Sequence, residues 1–324
     1  MNKQLYVLRF IPILKEKVWG GTKLKEILHK DSVSQKTGES WEISDVDGDH
    51  SVVANGALEG ETLKNLIQKY KADLVGEKVY RQHGSKFPLL IKYIDAAEAL
   101  SIQIHPNDEV AKKRHNSFGK TEMWYIMQSD SNSEIILGFN ETLSKAKYKE
   151  LVEKNKIVAA LNTEKAKSGD AYLIKAGLVH AIGAGVLLAE IQQNSDITYR
   201  IYDWDRVSDS GEHRELHTAE ALDCIDLTDN RDFLVNYKVE ANKANPLVHN
   251  TYFNTDIIKV SGEATRNYEN LDSFVILMGV EGDSVVKYGE KTAELKYGET
   301  LLVPACINNI SIVAKNSKIL EVSV

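Results

Sequence analysis

The residues best suited to chemistry begin with Ser101-Ile102-Gln103-Ile104-His105-Pro106-Asn107-Asp108. Polar and apolar types alternate there and predict a strand, so Gln103 and His105, two apart, leave the same face and can converge on one ion. Glu122 opens a second predicted strand, and His180 follows a third. Together they bring two imidazoles, a carboxylate and an amide oxygen to one barrel mouth. Such a donor set suits a catalytic zinc that keeps positions open for water or substrate. Taken singly, each has a plainer reading: His105 in a turn before Pro106, His180 in a loop, Gln103 a satisfied polar residue. The case for chemistry rests on the combination.

Elements of short, mostly β type must position these residues. Apolar or alternating runs bounded by Gly, Asp and Asn predict strands within 89–94, 100–104, 123–127, 134–137, 171–174, 186–191 and 198–204, and the apolar run 5–14 also reads as a strand. Three- and four-residue apolar spacing predicts helices at 61–70 and 143–161, with a short one at 218–225 that has a Thr near its N-cap. An internal repeat underlies this order. Gly169-DAYLIKAGLV-His180 aligns with Gly298-ETLLVPACIN-Asn309, and Glu122-MWYIM with Gly138 aligns with Ser273-FVILM and Gly289. The stretch from Gly138 to Gly169 is longer than that from Gly289 to Gly298, and the surplus is the helical pattern at 143–161.

Two copies of such a unit predict a mostly β protein of two tandem jelly-roll β-barrels, the first enlarged by helices. The first is expected over residues 1–240, with helical insertions near 61–80 and 143–161, and the second over 241–324. Ser273 and Asn309 stand where the first copy has Glu122 and His180, so the second cannot bind an ion in the same way.

Composition narrows the function classes. The chain has 324 residues, 40 Lys+Arg against 47 Asp+Glu, a net charge of −7, 43% apolar residues and two cysteines. Without a basic run it carries no footprint for nucleic acid, and an anionic ligand must be held by a local basic cluster against the global field. No uninterrupted apolar stretch is long enough to cross a membrane. The N-terminal run is broken by Arg9 and does not read as a signal peptide. Cys224 and Cys306 lie far apart and are expected as reduced thiols, which fits a cytoplasmic setting.

Gly169-x5-Lys175-x-Gly177-x2-His180 resembles the second motif of the cupins, with Lys175 in place of the usual Pro. More narrowly, the chain resembles the type I mannose-6-phosphate isomerases in their short bacterial form. The motifs that carry this resemblance are 10–22 (FIPILKEKVWGGT), 38–44 (GESWEIS), 87–96 (FPLLIKYIDA), 100–108 (LSIQIHPND), 120–126 (KTEMWYI), 177–183 (GLVHAIG) and 190–206 (EIQQNSDITYRIYDWDR), in family order over about two-thirds of the chain. The resemblance implies one zinc ion per chain held by Gln103, His105, Glu122 and His180. It also implies interconversion of mannose 6-phosphate and fructose 6-phosphate, with a small sugar phosphate as the partner and a monomer or weak homodimer as the assembly.

That chemistry needs a base to take a carbon-bound proton, an electrophile for the enediolate and an anchor for the phosphate. The resemblance places Arg200 and Ser101 in the substrate site, puts Arg206 where longer relatives have a basic phosphate contact, and makes Glu190 a family acid. The plainer reading of Arg206 is a salt bridge with Asp203 or Asp205. Lys120 is a plausible site lysine two residues before Glu122, and Lys92, buried by pattern, is another. Glu190, Lys120, Arg200 and a metal-bound water remain alternatives for moving the proton, and an enediol route is favoured over a hydride shift. Trp19 and Trp41 read as core. His115, His213 and His217 have no evident partners. Two other enzyme classes stay open, an isomerase that also takes glucose 6-phosphate and a cupin metal-dependent oxygenase. A sugar-phosphate binder without activity is the third alternative.

Overall fold

The structure is a computed structural model that describes residues 4–207, 211–228 and 233–324. In its first part, besides a hairpin of two-residue strands at Asp45–Val46 and Asp49–His50, the main strands are β1 (Ile13–Gly21), β2 (Thr37–Ile43), β3 (Leu89–Ala96), β4 (Ile102–Ile104), β5 (Glu122–Ser129), β6 (Glu134–Phe139), β7 (Leu161–Lys165), β8 (Ala171–Ile174), β9 (His180–Ile182), β10 (Val186–Gln193) and β11 (Tyr199–Tyr202). They form two antiparallel sheets, ordered β1-β2-β3-β10-β5-β8 and β11-β4-β9-β6-β7. Apolar residues on both faces of a strand mean that each sheet is covered on both sides. In β5, Trp124 and Ile126 enter a core shared with Ile135, Leu137 and Ile182 of the facing sheet, whereas Met123, Tyr125 and Met127 enter a second core on the opposite face. The outer face of the smaller sheet, with Ile102, Ile104, Ala181 and Tyr199, is covered by Leu143, Tyr148, Ile157 and Ala221.

Helices α1 (Leu63–Tyr70), α2 (Glu77–His83), α3 (Asp108–His115), α4 (Lys145–Glu153) and α5 (Thr218–Ala221) decorate this sandwich. Side-chain caps start three of them: Thr62 accepts from the Asn65 amide, Asn107 from Val110 and Ser144 from Lys147.

The second part contains β12 (Ala244–His249), β13 (Asn254–Asn267), β14 (Val275–Glu281), β15 (Ser284–Tyr288), β16 (Lys291–Leu295), β17 (Thr300–Val303) and β18 (Asn309–Ser323) in one sheet. β18 runs beside β13 along most of its length, while its far edge pairs with β15 at one end and β14 at the other. The sheet therefore rolls around its own core of Val260, Leu277, Leu301 and Ile312. The repeat is visible as β5–β8 against β14–β17. Ala171 faces Tyr125, whereas Thr300 faces Met278. The register of the second copy is thus offset by two residues, which preserves the faces. Among the described residues, no helix is long and apolar enough to cross a membrane.

Three sequence expectations change in detail. Residues 5–14 are not one strand: Leu8 makes a single bridge to Leu302 and Phe10 one to Val53, and regular pairing starts only at Ile13. The segment threads between two cores, with Val7 in one and Leu8 in the other. The expected helix over 143–161 ends at Glu153, because Asn155 adopts a left-handed φ of 52°, and a 3-10 turn at Ile157–Ala160 follows. The 218–225 helix is a single turn, Thr218–Ala221, with His217 at the N-cap position making no side-chain cap bond and Thr218 already inside the turn.

Candidate metal centre and anion-binding cleft

Alternation along neighbouring strands decides what faces the cleft between the two sheets. On β10, Glu190 lies opposite Lys92 of β3 on one side and Trp124 of β5 on the other, and Gln192 lies opposite Glu122. All five share the inward face. Across the cleft, His180 of β9 is the register partner of Gln103 of β4, which is also flanked by Arg200 of β11. His105 follows β4 directly, and its carbonyl accepts from the Gly177 amide at 2.8 Å. Gly177 has φ 85°, and a Cβ there would lie 2.4 Å from the Cys224 carbonyl oxygen, so the turn that delivers His180 requires glycine.

Nε2 of His105 and Nε2 of His180 are 3.1 Å apart, Glu122 Oε2 is 3.4 Å from the former, and Glu122 Oε1 is 3.7 Å from the latter. All three side chains are 1% exposed. His105 Nδ1 is 3.0 Å from the Ile197 carbonyl and His180 Nδ1 is 2.8 Å from that of Leu178. A carbonyl only accepts, so both Nδ1 atoms carry the proton and both Nε2 atoms present lone pairs. Burial pushes both imidazoles below their ordinary range; Lys120 adds to this for His105, and Glu122 opposes it for His180. The rings are therefore neutral. Two lone pairs and a carboxylate thus converge with no proton between them, and Glu122 Oε2 makes no hydrogen bond. A cation satisfies this arrangement and nothing else in the cluster does. These three residues form a group able to hold a metal ion.

Gln103 Nε2 is 3.4 Å from His180 Nε2, while its Oε1 accepts from Ser101 Oγ at 3.3 Å. Turning the amide over presents the oxygen to the same point. In the second copy, Ser273 Oγ instead receives the Val324 amide, and Asn309 is exposed in the β18 ladder.

Beside this group opens a small cleft into which five cationic side chains (Lys17, Lys92, Lys120, Arg200, Arg214) and two carboxylates (Glu39, Glu190) project, together with Ser101 and Gln103. The cations exceed the acids in a chain whose net charge is −7. Glu190 is held at both oxygens, by Lys92 Nζ at 3.0 Å and by Trp124 Nε1 at 3.0 Å. Burial works against the Lys92 charge, but Glu190 and Glu39 outweigh it and hold this lysine protonated. Glu39 accepts from Trp41 Nε1 at 2.6 Å and pairs with Lys17 at 3.2 Å. Burial would raise its carboxyl, yet Lys92 and Lys17 overcome that and set it to about 2. Lys120 Nζ is 3.8 Å from Glu122 Oε2, and burial, reinforced by Lys92, pulls its ammonium below the ordinary lysine range.

The cleft thus gathers Ser101, Gln103, Lys92, Lys120, Glu190 and Arg200, all singled out from sequence. Arg206 is not among its lining: its guanidinium donates to the Ala99 carbonyl at 2.6 Å and lies 3.9 Å from both Glu98 and Asp203. Trp19 belongs to the core and also walls the cleft. Glu39, Lys17, Thr198 and Arg214 also line the cleft and were not singled out from sequence, although GESWEIS sets Glu39 on the same strand face as Trp41. The histidines without evident partners have them: His115 meets the Tyr199 hydroxyl at 2.8 Å, His217 receives the Arg200 amide, and His213 meets the Arg206 carbonyl.

A larger groove of about 750 Å³ lies on the other side of the Gln193–Ile197 segment. Its Asp45 and Asp108 carboxylates are already taken by the Phe87 and Gly119 amides, and none of the metal group lines it. The candidate site is therefore the smaller cleft.

Comparison with known proteins shows the family of the chain. Residues 7–151 match the family described as phosphomannose isomerase type I, catalytic domain, and residues 243–322 match the mannose-6-phosphate isomerase cupin domain. The mannose-6-phosphate isomerase ManA of Bacillus subtilis is 36% identical over 298 residues, covering 91% of this chain and 92% of its own. The mannose-6-phosphate isomerase of Streptococcus mutans is 31% identical over 297 residues, with coverage of 91% and 92%. A crystal structure of the mannose 6-phosphate isomerase from Bacillus subtilis superposes with a TM-score of 0.89 at 34% identity, over 99% of this chain and all of that one.

Proposed function

Because the chain belongs to the type I phosphomannose isomerase family, we propose that it interconverts mannose 6-phosphate and fructose 6-phosphate, with one zinc ion held by His105, Glu122, His180 and Gln103. The observation that carries this reading is the convergence of two neutral imidazoles and a buried carboxylate whose Oε2 accepts no hydrogen bond, beside a cationic cleft. Neutral nitrogen donors with a single carboxylate suit zinc. When bound, the ion supplies a Lewis acid for sugar oxygens at the open-chain C1 and C2.

The residues of the cleft supply the rest. Isomerisation removes the C2 proton of the open-chain aldose and returns a proton to C1, while the O2 hydroxyl proton moves to O1. Lys120 and Arg200 are cleft-facing groups that can take, give or share these protons. Glu190 has both oxygens committed, so in this reading it holds Lys92 and Trp124 in place and keeps the cleft wall rigid. Ser101 steadies the Gln103 amide. Residues 1–240 form the catalytic unit and 241–324 the unit without ligands. With Cys224 and Cys306 both free, a cytoplasmic setting suits the protein.

Turnover in D2O tests the reaction and its route together. Fructose 6-phosphate should form from mannose 6-phosphate and carry solvent deuterium at C1. No fructose 6-phosphate would refute the activity, and product free of deuterium would replace the enediol with a hydride shift.

A further inference from the structure

One wall of the cleft is built by β11 and by the segment 213–217, a strap that folds back on it. The Arg200 amide donates to His217 Nδ1 at 3.2 Å, the His217 amide donates to the Arg200 carbonyl at 2.7 Å, and Arg200 Nη1 donates to the Glu215 carbonyl at 2.8 Å. Val207 and His213 form a bridge further along the same turn-back. Within this strap Arg214 is fixed by a bidentate pair, Nε to Asp203 Oδ2 at 2.7 Å and Nη2 to Asp203 Oδ1 at 2.5 Å. Asp203 is 5% exposed, so the fork has little freedom to swing away.

Arg200 and Arg214 both line the cleft, and the buried Asp203 carboxylate is already committed to Arg214. Arg200 Nε is buried and has no partner. Burial, and next the charge of Arg214, weigh against the Arg200 cation. Placing two like charges together in a half-buried site is costly unless an anion joins them. The other cations of the cleft are engaged elsewhere: Lys17 with Glu39, Lys92 with Glu190, and Lys120 beside Glu122.

We propose that the phosphate group of the sugar is received between Arg200 and Arg214, which makes Arg214 a substrate-binding residue and leaves Arg206 as a strut against the Ala99 carbonyl. The inference rests on the sugar-phosphate reading above. Arginine suits the task because its planar fork offers donors to two phosphate oxygens, and Arg214 retains Nη1 while its other two nitrogens face Asp203.

The test uses glucitol 6-phosphate, which has no carbonyl and cannot turn over, titrated by calorimetry into the metal-loaded full chain. Wild type should bind it, and Arg214→Gln should weaken binding by about tenfold or more, the scale of a lost charge-assisted contact. Arg214→Lys, which keeps the charge and a donor toward Asp203, should recover part of the loss. In turnover, Arg214→Gln should raise KM more than it lowers kcat. Unchanged binding in Arg214→Gln, a greater loss in Arg206→Gln, or no binding by wild type would overturn the proposal. Arg214-dependent binding by a protein that leaves mannose 6-phosphate untouched would uphold the phosphate site and refute the isomerase reading instead.

Discussion

His180 and its counterpart Asn309 are the residues on which the two halves of the repeat part chemically. His180→Asn copies the second half, removes one of two converging lone pairs and should abolish both metal retention and turnover, read by metal analysis of the purified protein beside the rate. Retained metal at wild-type stoichiometry would remove His180 from the ligand set. Glu39 gives a second prediction. Its carboxyl titrates near 2 in the folded protein against 4.5 as the ordinary value, so its ionisation stabilises the fold above the unfolded value and loses that contribution as pH falls from about 5 toward 2. The effect is on the order of 3 kcal/mol. Denaturant unfolding at pH 6 and pH 3 should show wild type losing more stability than Glu39→Gln over that range, and equal losses would rule the prediction out. The grouping of His105, Glu122 and His180 was legible in the sequence because HPND and KTEMWY are dense motifs and His180 closes the repeated Gly169–His180 segment. Glu39, Lys17 and Arg214 were not, because each reaches the cleft through long-range pairing: β1 on β2, β2 on β3, and a strap on β11.

At the scale of elements, strand placement in the first sandwich followed from alternation and turn residues, and apart from the run 5–14 each expected strand has a counterpart there. What alternation does not contain is which strand becomes whose neighbour. The order β3-β10-β5 sets Lys92, Glu190 and Trp124 in a row although Lys92 and Glu190 lie 98 residues apart. Helix ends were likewise set by tertiary partners. Helix α2 is capped from the other half of the molecule, where the Asp272 carboxylate accepts from the Glu77 amide at 2.6 Å and the Lys78 amide at 2.9 Å. Asp272→Ala should cost about 1 kcal/mol in denaturant unfolding, as for the loss of an N-cap. Gly76, with φ 91° and a virtual Cβ 2.6 Å from the Asp272 carbonyl oxygen, should tolerate alanine less well than Asp272 does. A Gly76→Ala protein as stable as wild type would show that this junction is not tight.

For the molecule as a whole, the tandem architecture was readable from the repeat, but the extent to which the halves share a core was not. One cluster runs from Leu5 and Phe10 through Ile91 and Met123 to Phe274, Leu302 and Val322, and the rings of Phe87 and Phe274 meet at 4.6 Å. With so much apolar surface in common, the halves should unfold in a single calorimetric transition. Phe274→Ala should lower stability by about 3 to 5 kcal/mol without splitting that transition. Two separate transitions in wild type would contradict the shared core. A metal-dependent sugar-phosphate isomerase is tested most directly by a coupled assay for fructose 6-phosphate formed from mannose 6-phosphate, on protein as purified, after chelation and after zinc is added back. Turnover that is lost on chelation and restored by zinc is the predicted result; turnover indifferent to chelation, or metal-loaded protein that leaves mannose 6-phosphate unchanged, would contradict it.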